Sequence, residues 1–307
     1  MRVLISGSTG LVGSALLAAF RQQGHQLARL VRPSTRNPPV GRGAFPETLN
    51  LAWDPVAGTL DSAASGADAV VHLAGASIAG GRWTAARKRL LRDSRVAATH
   101  HLVEALGKLP QPPKVFVAAS AIGFYGDRGD EELTESSAPG QDFLAGLSRE
   151  WEAESGRAAH FGARVVLLRL GIVLARHGGA LPQMALPFRL GVGGRIGSGR
   201  QWMSWLALED VVGIVGYALS SNALSGPVNA VAPHPERNAG FAAALGRVLH
   251  RPALFPTPGF VLRLALGEMA DALLLASQRV LPEKLQRLRY PFVHQALEPA
   301  LRSVLRR

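Results

Sequence analysis

The chain has 307 residues, 47% of them hydrophobic, and it contains no cysteine. This length suits two domains or one large α/β domain with a cap, and the lack of cysteine excludes a disulfide scaffold, thiol catalysis and cysteine-ligated metals. The net charge of +12 would suit nucleic acid or an anionic small molecule. Only four of the 34 basic residues are lysine, however, and abundant arginine, alanine and glycine are typical of a GC-rich genome, so we expect no nucleic acid partner.

No apolar run is long enough to span a membrane. The most apolar stretch, residues 260–276, is interrupted by Arg263, Glu268 and Asp271. The first residues, MRVLISGSTG, lack the order of a signal peptide. We therefore expect a cytoplasmic protein without a membrane partner, and the sequence leaves monomer and homodimer open.

Strand and helix patterns alternate along the first half of the chain. Short apolar runs predict strands over residues 3–6, 26–31, 49–53, 69–73, 114–119 and 165–170. The helical patterns between them cover residues 11–20, 84–106 and 143–157. Strands that are apolar on both faces are typical of a parallel sheet covered by helices on each side. The predicted fold class is therefore α/β, with a Rossmann-type doubly wound parallel sheet.

The composition and the pattern of predicted elements change after residue 175. Residues 176–201 are rich in glycine and proline, residues 205–219 have a helical pattern, and residues 228–231 read as a strand that rejoins the sheet. From Pro233 onward the pattern is helical with proline breaks. We predict a smaller C-terminal substrate lobe beside the Rossmann core. The core covers 1–175 with 205–232 returning to it, and the lobe covers 176–204 and 233–307.

A glycine-rich turn, GSTGLVG, lies over residues 7–13 between the first strand and the first helix. In a dinucleotide fingerprint, Gly7 would allow the tight turn, Gly10 would let the backbone approach a pyrophosphate, and Gly13 would allow close packing of helix and sheet. Amides at the helix N-terminus would bind the phosphate. The expected contacts in this turn are Gly7, Thr9, Gly10, Leu11, Val12 and Gly13.

The end of the second strand indicates which dinucleotide binds. A carboxylate at this place would bind a ribose 2′-hydroxyl and repel a 2′-phosphate. The sequence instead has Arg32, Ser34, Thr35 and Arg36, and no acidic residue. Because a guanidinium pairs well with a phosphate, we expect NADP(H) with Arg32 as the contact, while Arg36 reads as a solvated surface residue.

Several longer motifs resemble one protein family. GSTGLVGSAL, VVHLAGASI, SAIGFYGDRGDEELTE and LRLGIVL are similar to the extended short-chain dehydrogenase/reductases, the group of NAD-dependent sugar epimerases and dehydratases. RWTAARKRLLRDSRVAAT, LPFRLGVGGRIGSGRQWMSW, GPVNAVAP and LHRPALFPTPGF resemble its atypical "epimerase family protein" branch, which has a C-terminal domain of unknown function. The resemblance covers almost the whole chain. It implies a Rossmann core, NADP(H) and a substrate lobe.

The resemblance also implies further cofactor contacts. The residues that match the family's cofactor-lining positions are Trp53, Asp54, Leu73, Ala74, Gly75, Arg95, Ser120 and Val173. Trp53 and Asp54 would lie at the adenine, and Arg95 would contact a phosphate or a ribose. His72 stands where the family has asparagine, and we expect it to make one local hydrogen bond.

The acid/base half of the family's site is missing. Members use a tyrosine, a lysine four residues later and a serine or threonine, and the lysine lowers the pKa of the tyrosine. The matching helix carries Leu144 and Ser148 instead. Ser120 and Tyr125 are the only, weak, catalytic candidates. Tyr125 has no lysine four residues on, so we expect its pKa to stay near the ordinary value of about 10.

The lobe offers other polar groups. Arg195, Arg200 and Trp202 lie in or beside glycine-rich loops and are candidates to hold an anionic, ring-bearing substrate, although packing beneath a lid would explain them equally. No cluster has the spacing of a metal site. Two functions therefore remain open: an NADP(H)-dependent oxidoreductase or epimerase-like enzyme on a carbonyl, hydroxyl or nucleotide-sugar-like substrate, and a non-catalytic NADP(H)-binding redox sensor or regulatory protein.

Overall fold

The protein is described by a computed structural model that covers residues 1–33 and 48–306. Its strands are β1 (Arg2–Ser6), β2 (Gln26–Val31), β3 (Leu49–Asp54), β4 (Thr59–Leu60), β5 (Ala69–His72), β6 (Val115–Ala121), β7 (Glu132–Leu133), β8 (Arg164–Leu170), β9 (Ile172–Leu174), β10 (Trp202–Met203), β11 (Trp205–Ala207), β12 (Gly226–Ala230), β13 (Glu236–Arg237) and β14 (Arg279–Val280). Its helices are α1 (Leu11–Gln22), α2 (Ala85–Arg92), α3 (Ala98–Gly107), α4 (Phe143–Gly156), α5 (Leu181–Arg189), α6 (Leu208–Ser220), α7 (Asn238–Leu249), α8 (Gly259–Leu266), α9 (Glu268–Ala270), α10 (Glu283–Arg287) and α11 (Leu297–Arg306).

Eight strands form one sheet in the order β12-β8-β6-β5-β1-β2-β3-β4. All neighbours are parallel except β3 and β4. The chain begins at β1 in the middle, builds outward through β2 and β3, and then returns to the other side of β1 with β5, β6 and β8. The strand order therefore reverses between β1 and β5, and ligands of such sheets bind beyond the carboxyl ends of the strands at this point. The predicted doubly wound Rossmann-type sheet is confirmed.

The core lies on both faces of the sheet because alternate residues of a strand point in opposite directions. Val3 and Ile5 of β1 are buried on the face covered by α1 and α6. Leu4 is buried on the other face with Leu102 and Leu106 of α3. This two-sided burial explains why the strands are apolar throughout.

Three elements differ from the sequence prediction. The helix predicted over residues 84–106 is divided by a π-helical turn, Asp93–Ala97, between α2 and α3. The predicted helix at 205–219 begins only at Leu208, because Trp205–Ala207 is fully buried and pairs with β9 as a parallel strand. The glycine- and proline-rich stretch contains a helix, α5, that the sequence analysis missed.

Most of the remaining elements follow β9 in the chain, and β7 precedes it. Two small strand pairs, β10 with β13 and β14 with β7, join distant parts of the sequence. In the described part of the chain, no helix has both the length and the apolar character needed to cross a membrane.

Candidate functional site

The glycine-rich turn lies at the point where the strand order reverses. Gly7 has φ +67°, and a Cβ built on it would lie 2.7 Å from the carbonyl carbon and oxygen of Leu73, which follows β5. Only glycine combines this left-handed backbone with the close approach of the two loops. Gly7 and Leu73 are therefore brought together, as the cofactor hypothesis requires.

Gly13 is required by the turn itself. Its Cβ would lie 2.3 Å from the carbonyl oxygen of Gly7 and 2.7 Å from Cα of Ser8. These close neighbours are the backbone atoms that directly follow β1. The absence of a side chain lets α1 begin directly against the turn.

The start of α1 has backbone donors that no side chain caps. Gly10 is the N-cap residue, it has no side chain to accept a hydrogen bond, and the first turn contains no acidic residue. Thr9 and Gly10 are exposed, and Leu11 is partly exposed. Free amides and the positive end of the helix dipole together favour an anion at this place.

The loop after β9 covers one side of the helix start. A Cβ on Gly179 would lie 2.9 Å from Cδ2 of Leu11 and 3.5 Å from the carbonyl oxygen of Val173. Leu11 and Val173, both candidate cofactor contacts, are thus close in space although they are far apart in the sequence. Val12 is partly buried against the core below.

Two arginines lie on β2 or at its end. Arg32 is exposed at the carboxyl end of the strand, next to the glycine-rich turn in the sheet order. Ser34, Thr35 and Arg36 lie outside the described residues. The sequence analysis missed Arg29, whose Nε donates to Oγ of Ser8 at 3.0 Å and so ties β2 to the turn. Burial lowers the pKa of Arg29.

His72 connects four elements around the same point. Its Nδ1 lies 2.6 Å from Oγ of Ser6, at the end of β1, and its Nε2 lies 2.9 Å from Oγ1 of Thr99 on α3. Thr99 also accepts a hydrogen bond from Nε1 of Trp151 on α4, at 3.0 Å. Oγ of Ser6 accepts from the amide of Leu73 at 3.2 Å. The single local hydrogen bond expected for His72 is therefore wrong, since the ring is bonded on both sides.

The imidazole of His72 is neutral at ordinary pH. It is fully buried, and burial lowers its pKa to about 4. Neutral imidazole has one donor and one acceptor, which matches two hydroxyl partners that can each act as either. We infer a structural role for His72, because it holds the ends of β1 and β5 where the cofactor loops begin.

Arg95 is a buried cation that donates hydrogen bonds to backbone carbonyls. Its guanidinium donates to the carbonyls of Ala76 at 2.9 Å and Leu91 at 3.3 Å, and lies 5.3 Å from the centre of the Trp151 ring. Only 9% of the residue is exposed, and no carboxylate of the described residues lies within 4 Å of it. Burial and the nearby Arg87 lower its pKa to about 10.

Two features allow the Arg95 guanidinium to lie here: the π-helical turn that contains Arg95, and the lack of a side chain at Gly75. A Cβ on Gly75 would lie 3.0 Å from the guanidinium carbon. Single π-helical turns frequently occur at functional sites, because they change the direction of the side chains that follow. A buried guanidinium without a carboxylate, beside exposed Gly75 and partly exposed Ala74, can receive a ligand anion.

Trp53 and Asp54 have roles within the protein. Trp53 is only 4% exposed and packs edge-on against His72, with the ring centres 5.8 Å apart. Asp54 Oδ1 accepts from the amides of Val56 at 2.8 Å and Ala57 at 3.1 Å, which closes the turn between β3 and β4. These hydrogen bonds lower the pKa of the Asp54 carboxyl. Nε1 of Trp53 is buried without a hydrogen-bond partner in the described part of the chain, and the adenine contact of Trp53 and Asp54 stays a prediction.

A buried polar network occupies Ser120 and Tyr125. Ser120 Oγ donates to Oε1 of Glu152 at 2.6 Å, and Arg169 binds both carboxylate oxygens of Glu152 at 2.8 Å. Arg169 also donates to the Tyr125 hydroxyl at 2.9 Å, and that hydroxyl donates to Oδ1 of Asn229 at 2.6 Å. The hydroxyl protons of Ser120 and Tyr125 are therefore committed to protein acceptors.

Tyr125 is poorly suited to acid/base chemistry. Its side chain is fully buried, and burial raises its pKa to about 12, against the opposing effect of Arg169. The expectation of an ordinary pKa near 10 is wrong, because the sequence does not show that the phenol lies in the core.

The positions of the missing tyrosine and lysine serve packing. Leu144 and Ser148 are 8% and 5% exposed. Leu144 belongs to an apolar cluster with Trp83, Leu91 and Met269 of α9. The positions that match the usual acid/base pair thus help α4 to pack, in part against α9.

Two arginines that the sequence analysis did not name contact the ring of Trp202. The guanidinium carbons of Arg237 and Arg279 lie 4.6 and 4.8 Å from the centre of its ring. Arg195 and Arg200 are exposed in the loops before it. A tryptophan-with-arginine arrangement therefore exists with Arg237 and Arg279, and the role of Arg195, Arg200 and Trp202 as substrate contacts stays a prediction.

Two further observations limit the chemistry of the site. Among residues 1–33 and 48–306, no three histidine or acidic side chains are grouped to hold a metal ion. Nε1 of Trp202 donates to Oδ1 of Asp130 at 2.8 Å, so the orientation of the Trp202 ring is fixed by residues of the protein itself.

The fold and the glycine-rich turn together define a Rossmann-type α/β protein. Comparison with known families adds that the chain belongs to the NAD dependent epimerase/dehydratase family, whose model matches residues 3–231. A domain of unknown function, DUF1731, matches residues 257–304.

Relatives match along nearly the whole chain. An epimerase family protein of Mycobacterium tuberculosis is 42% identical over 300 residues, covering 97% of this chain and 96% of its own. One from Bacillus subtilis is 35% identical, covering 99% and 98%. The crystal structure of the human epimerase family protein SDR39U1 with NADPH is 35% identical, has a TM-score of 0.88, and covers 100% of this chain and 99% of its own.

Proposed function

We propose that this chain binds NADP(H) at the carboxyl edge of its sheet and transfers hydride to or from a small carbonyl or hydroxyl compound. The observation that carries the proposal is the cradle in which Gly7 and Gly13 exclude any Cβ by close backbone contacts. The similar human protein, solved with NADPH, supports the choice of cofactor.

The residues of this chain fit such a cofactor. The uncapped amides at the start of α1 and the exposed Gly10 suit its pyrophosphate. Arg32, exposed at the end of β2, suits the 2′-phosphate. Arg95, buried without a carboxylate partner among the described residues, suits the second half of the pyrophosphate or the adjoining ribose.

NADP(H) supplies the hydride, and the chain must then manage a proton. Reduction of a carbonyl creates an alkoxide that takes up one proton, and the usual tyrosine is replaced by Leu144. Tyr125 is buried, its pKa is raised, and its hydroxyl donates a hydrogen bond to Oδ1 of Asn229. We therefore propose that water, not Tyr125, delivers the proton.

The second candidate function is a non-catalytic NADP(H)-binding sensor or regulatory protein. It is favoured by the use of Leu144 in the apolar cluster with Met269. Because that cluster joins α4 to the lobe, a cofactor bound nearby could change how the two parts pack.

Hydride transfer distinguishes the two functions. The assay is a panel of carbonyl and UDP-sugar substrates with stereospecifically deuterated NADPH, on the parent protein and on Tyr125→Phe. We expect the parent and the Tyr125→Phe variant both to bind NADPH. We also expect their rates of deuterium transfer to differ by less than about twofold. Binding without transfer to any substrate would favour the sensor.

Two outcomes would contradict the proposal. Rapid transfer at neutral pH that disappears in Tyr125→Phe would show that this tyrosine is an activated acid. Failure of the parent protein to bind NADPH would remove both functions. Stability measurements on Tyr125→Phe provide the control, since the variant loses a buried hydrogen bond.

A further inference from the structure

One face of the C-terminal lobe concentrates exposed apolar side chains. We call it the basic apolar face and define it as residues 181–200, which include α5, and 250–267, which include α8. Among the described residues, fourteen large hydrophobic side chains are exposed, and eight of them lie in these two short segments. The eight are Leu186, Leu190, Val192, Leu254, Phe255, Phe260, Val261 and Leu264. Single exposed apolar residues are ordinary, but such a concentration marks an interaction surface.

The two segments adjoin each other. The amide of Phe255 donates to the carbonyl of Gly193 at 3.1 Å, and the amide of Thr257 donates to that of Arg195 at 2.9 Å. Leu275 connects the segments a second time, since its methyl groups lie 3.1 Å and 3.6 Å from the Cβ positions of Gly197 and Gly259. The exposed side chains of both segments therefore belong to one region of the surface.

Helix α8 is the most exposed part of this face. None of its eight residues is buried. Phe260 is 70% exposed and Leu264 is 78% exposed. The two are four residues apart and so lie on the same side of the helix. Exposure of this apolar helix side to water is unfavourable in free energy, and a partner that covered it would remove the unfavourable contribution.

The charged side chains within the two segments all have one sign. Its two segments contain five arginines and no acidic residue. Arg263 pairs with Asp271 at 2.8 Å. Arg189, Arg195 and Arg251 are exposed, and no carboxylate in the described parts of the chain lies within 4 Å of them. A partner must therefore offer apolar contact together with negative charge.

We propose that the basic apolar face binds the surface of an anionic lipid bilayer. Phe260 and Leu264 would lie at the boundary of headgroups and acyl chains, and the arginines would contact the lipid phosphates. A second copy of the chain suits the face less well, because it would bring arginines against arginines. The sequence analysis predicts no membrane partner because the chain has no segment that could span a bilayer. Binding at the level of the lipid headgroups needs no such segment.

The first test is sedimentation of the full chain with lipid vesicles. One set contains phosphatidylcholine alone and the other contains about one-third phosphatidylglycerol. We expect binding to the anionic vesicles only, and less of it as salt is raised. The double variant Phe260→Ser with Leu264→Ser should lower the bound fraction about tenfold. Val56→Ser, which changes an 84% exposed residue at the β3–β4 turn, is the matched control and should bind like the parent.

The second test concerns charge. Arg189→Glu with Arg195→Glu should remove binding to anionic vesicles, whereas Arg149→Glu, an exposed site on α4, should not. NADPH affinity and circular dichroism check that each variant is folded. Equal sedimentation with both vesicle types, no sedimentation with either, or equal losses in the control variants would overturn the proposal. So would a dimer of the parent that Phe260→Ser dissociates, because the face would then belong to a second copy.

Discussion

Gly13→Ala places one methyl group into the glycine-rich turn. The new carbon would lie 2.3 Å from the carbonyl oxygen of Gly7 and 2.7 Å from Cα of Ser8. Both are backbone atoms, so no flexible side chain can move aside. The start of α1 must therefore shift by about 1 Å before the contact becomes an ordinary one. This shift moves the uncapped amides that we assign to the pyrophosphate.

The magnitude follows from two opposing effects. Alanine in place of glycine inside a helix stabilises by about 0.5–1 kcal/mol, because the unfolded chain loses freedom. Overpacking against fixed atoms costs about 1–3 kcal/mol. At Gly146, inside α4, a Cβ would meet nothing within 4 Å, so only the first effect operates. We expect Gly146→Ala to stabilise and Gly13→Ala to destabilise, with a difference of about 1–3 kcal/mol, because the helix gain is common to both.

The assay pairs urea unfolding with NADPH titration by fluorescence. Gly13→Ala should lower the free energy of unfolding and weaken NADPH binding at least about tenfold. Gly146→Ala should raise the free energy of unfolding and leave binding unchanged. If the two variants have the same stability and both bind NADPH like the parent, the close packing of turn and helix has no role in cofactor binding.

Three further changes test other parts of the site. Arg32→Asp should weaken NADPH relative to NADH by on the order of tenfold to a hundredfold, since it removes a cation from the 2′-phosphate; equal affinities of the parent for both cofactors in calorimetry would refute this. His72, with its pKa lowered by burial to about 4, takes up its proton in the unfolded state first, so the free energy of unfolding should fall by about 3 kcal/mol as pH drops from about 6.5 to 4. His72→Asn should lack this part of the pH dependence, and an unchanged profile would contradict it. Glu152→Leu should destabilise by about 3–5 kcal/mol in urea unfolding because it leaves Arg169 buried and unpaired, and a loss below 1 kcal/mol would count against the network.

The sequence by itself determined the sheet and the turn. Strands that are apolar on both faces, followed by GSTGLVG, specify a parallel sheet and a helix that begins at a glycine-rich turn, because both signals depend on neighbours within a few residues. The absence of the tyrosine and lysine was equally visible, since it is a matter of which residues stand at Leu144 and Ser148.

The tertiary structure decided which side chains meet. Trp202 has Arg237 and Arg279 as neighbours: β10 pairs with β13, which follows β11, α6 and β12 in the chain, and Arg279 comes from the still later β14. The π-helical turn that directs Arg95 toward Gly75 has no distinct periodicity in the sequence. Local patterns report burial and helical phase, whereas these contacts join residues tens of positions apart, and only the packing of the whole chain selects them.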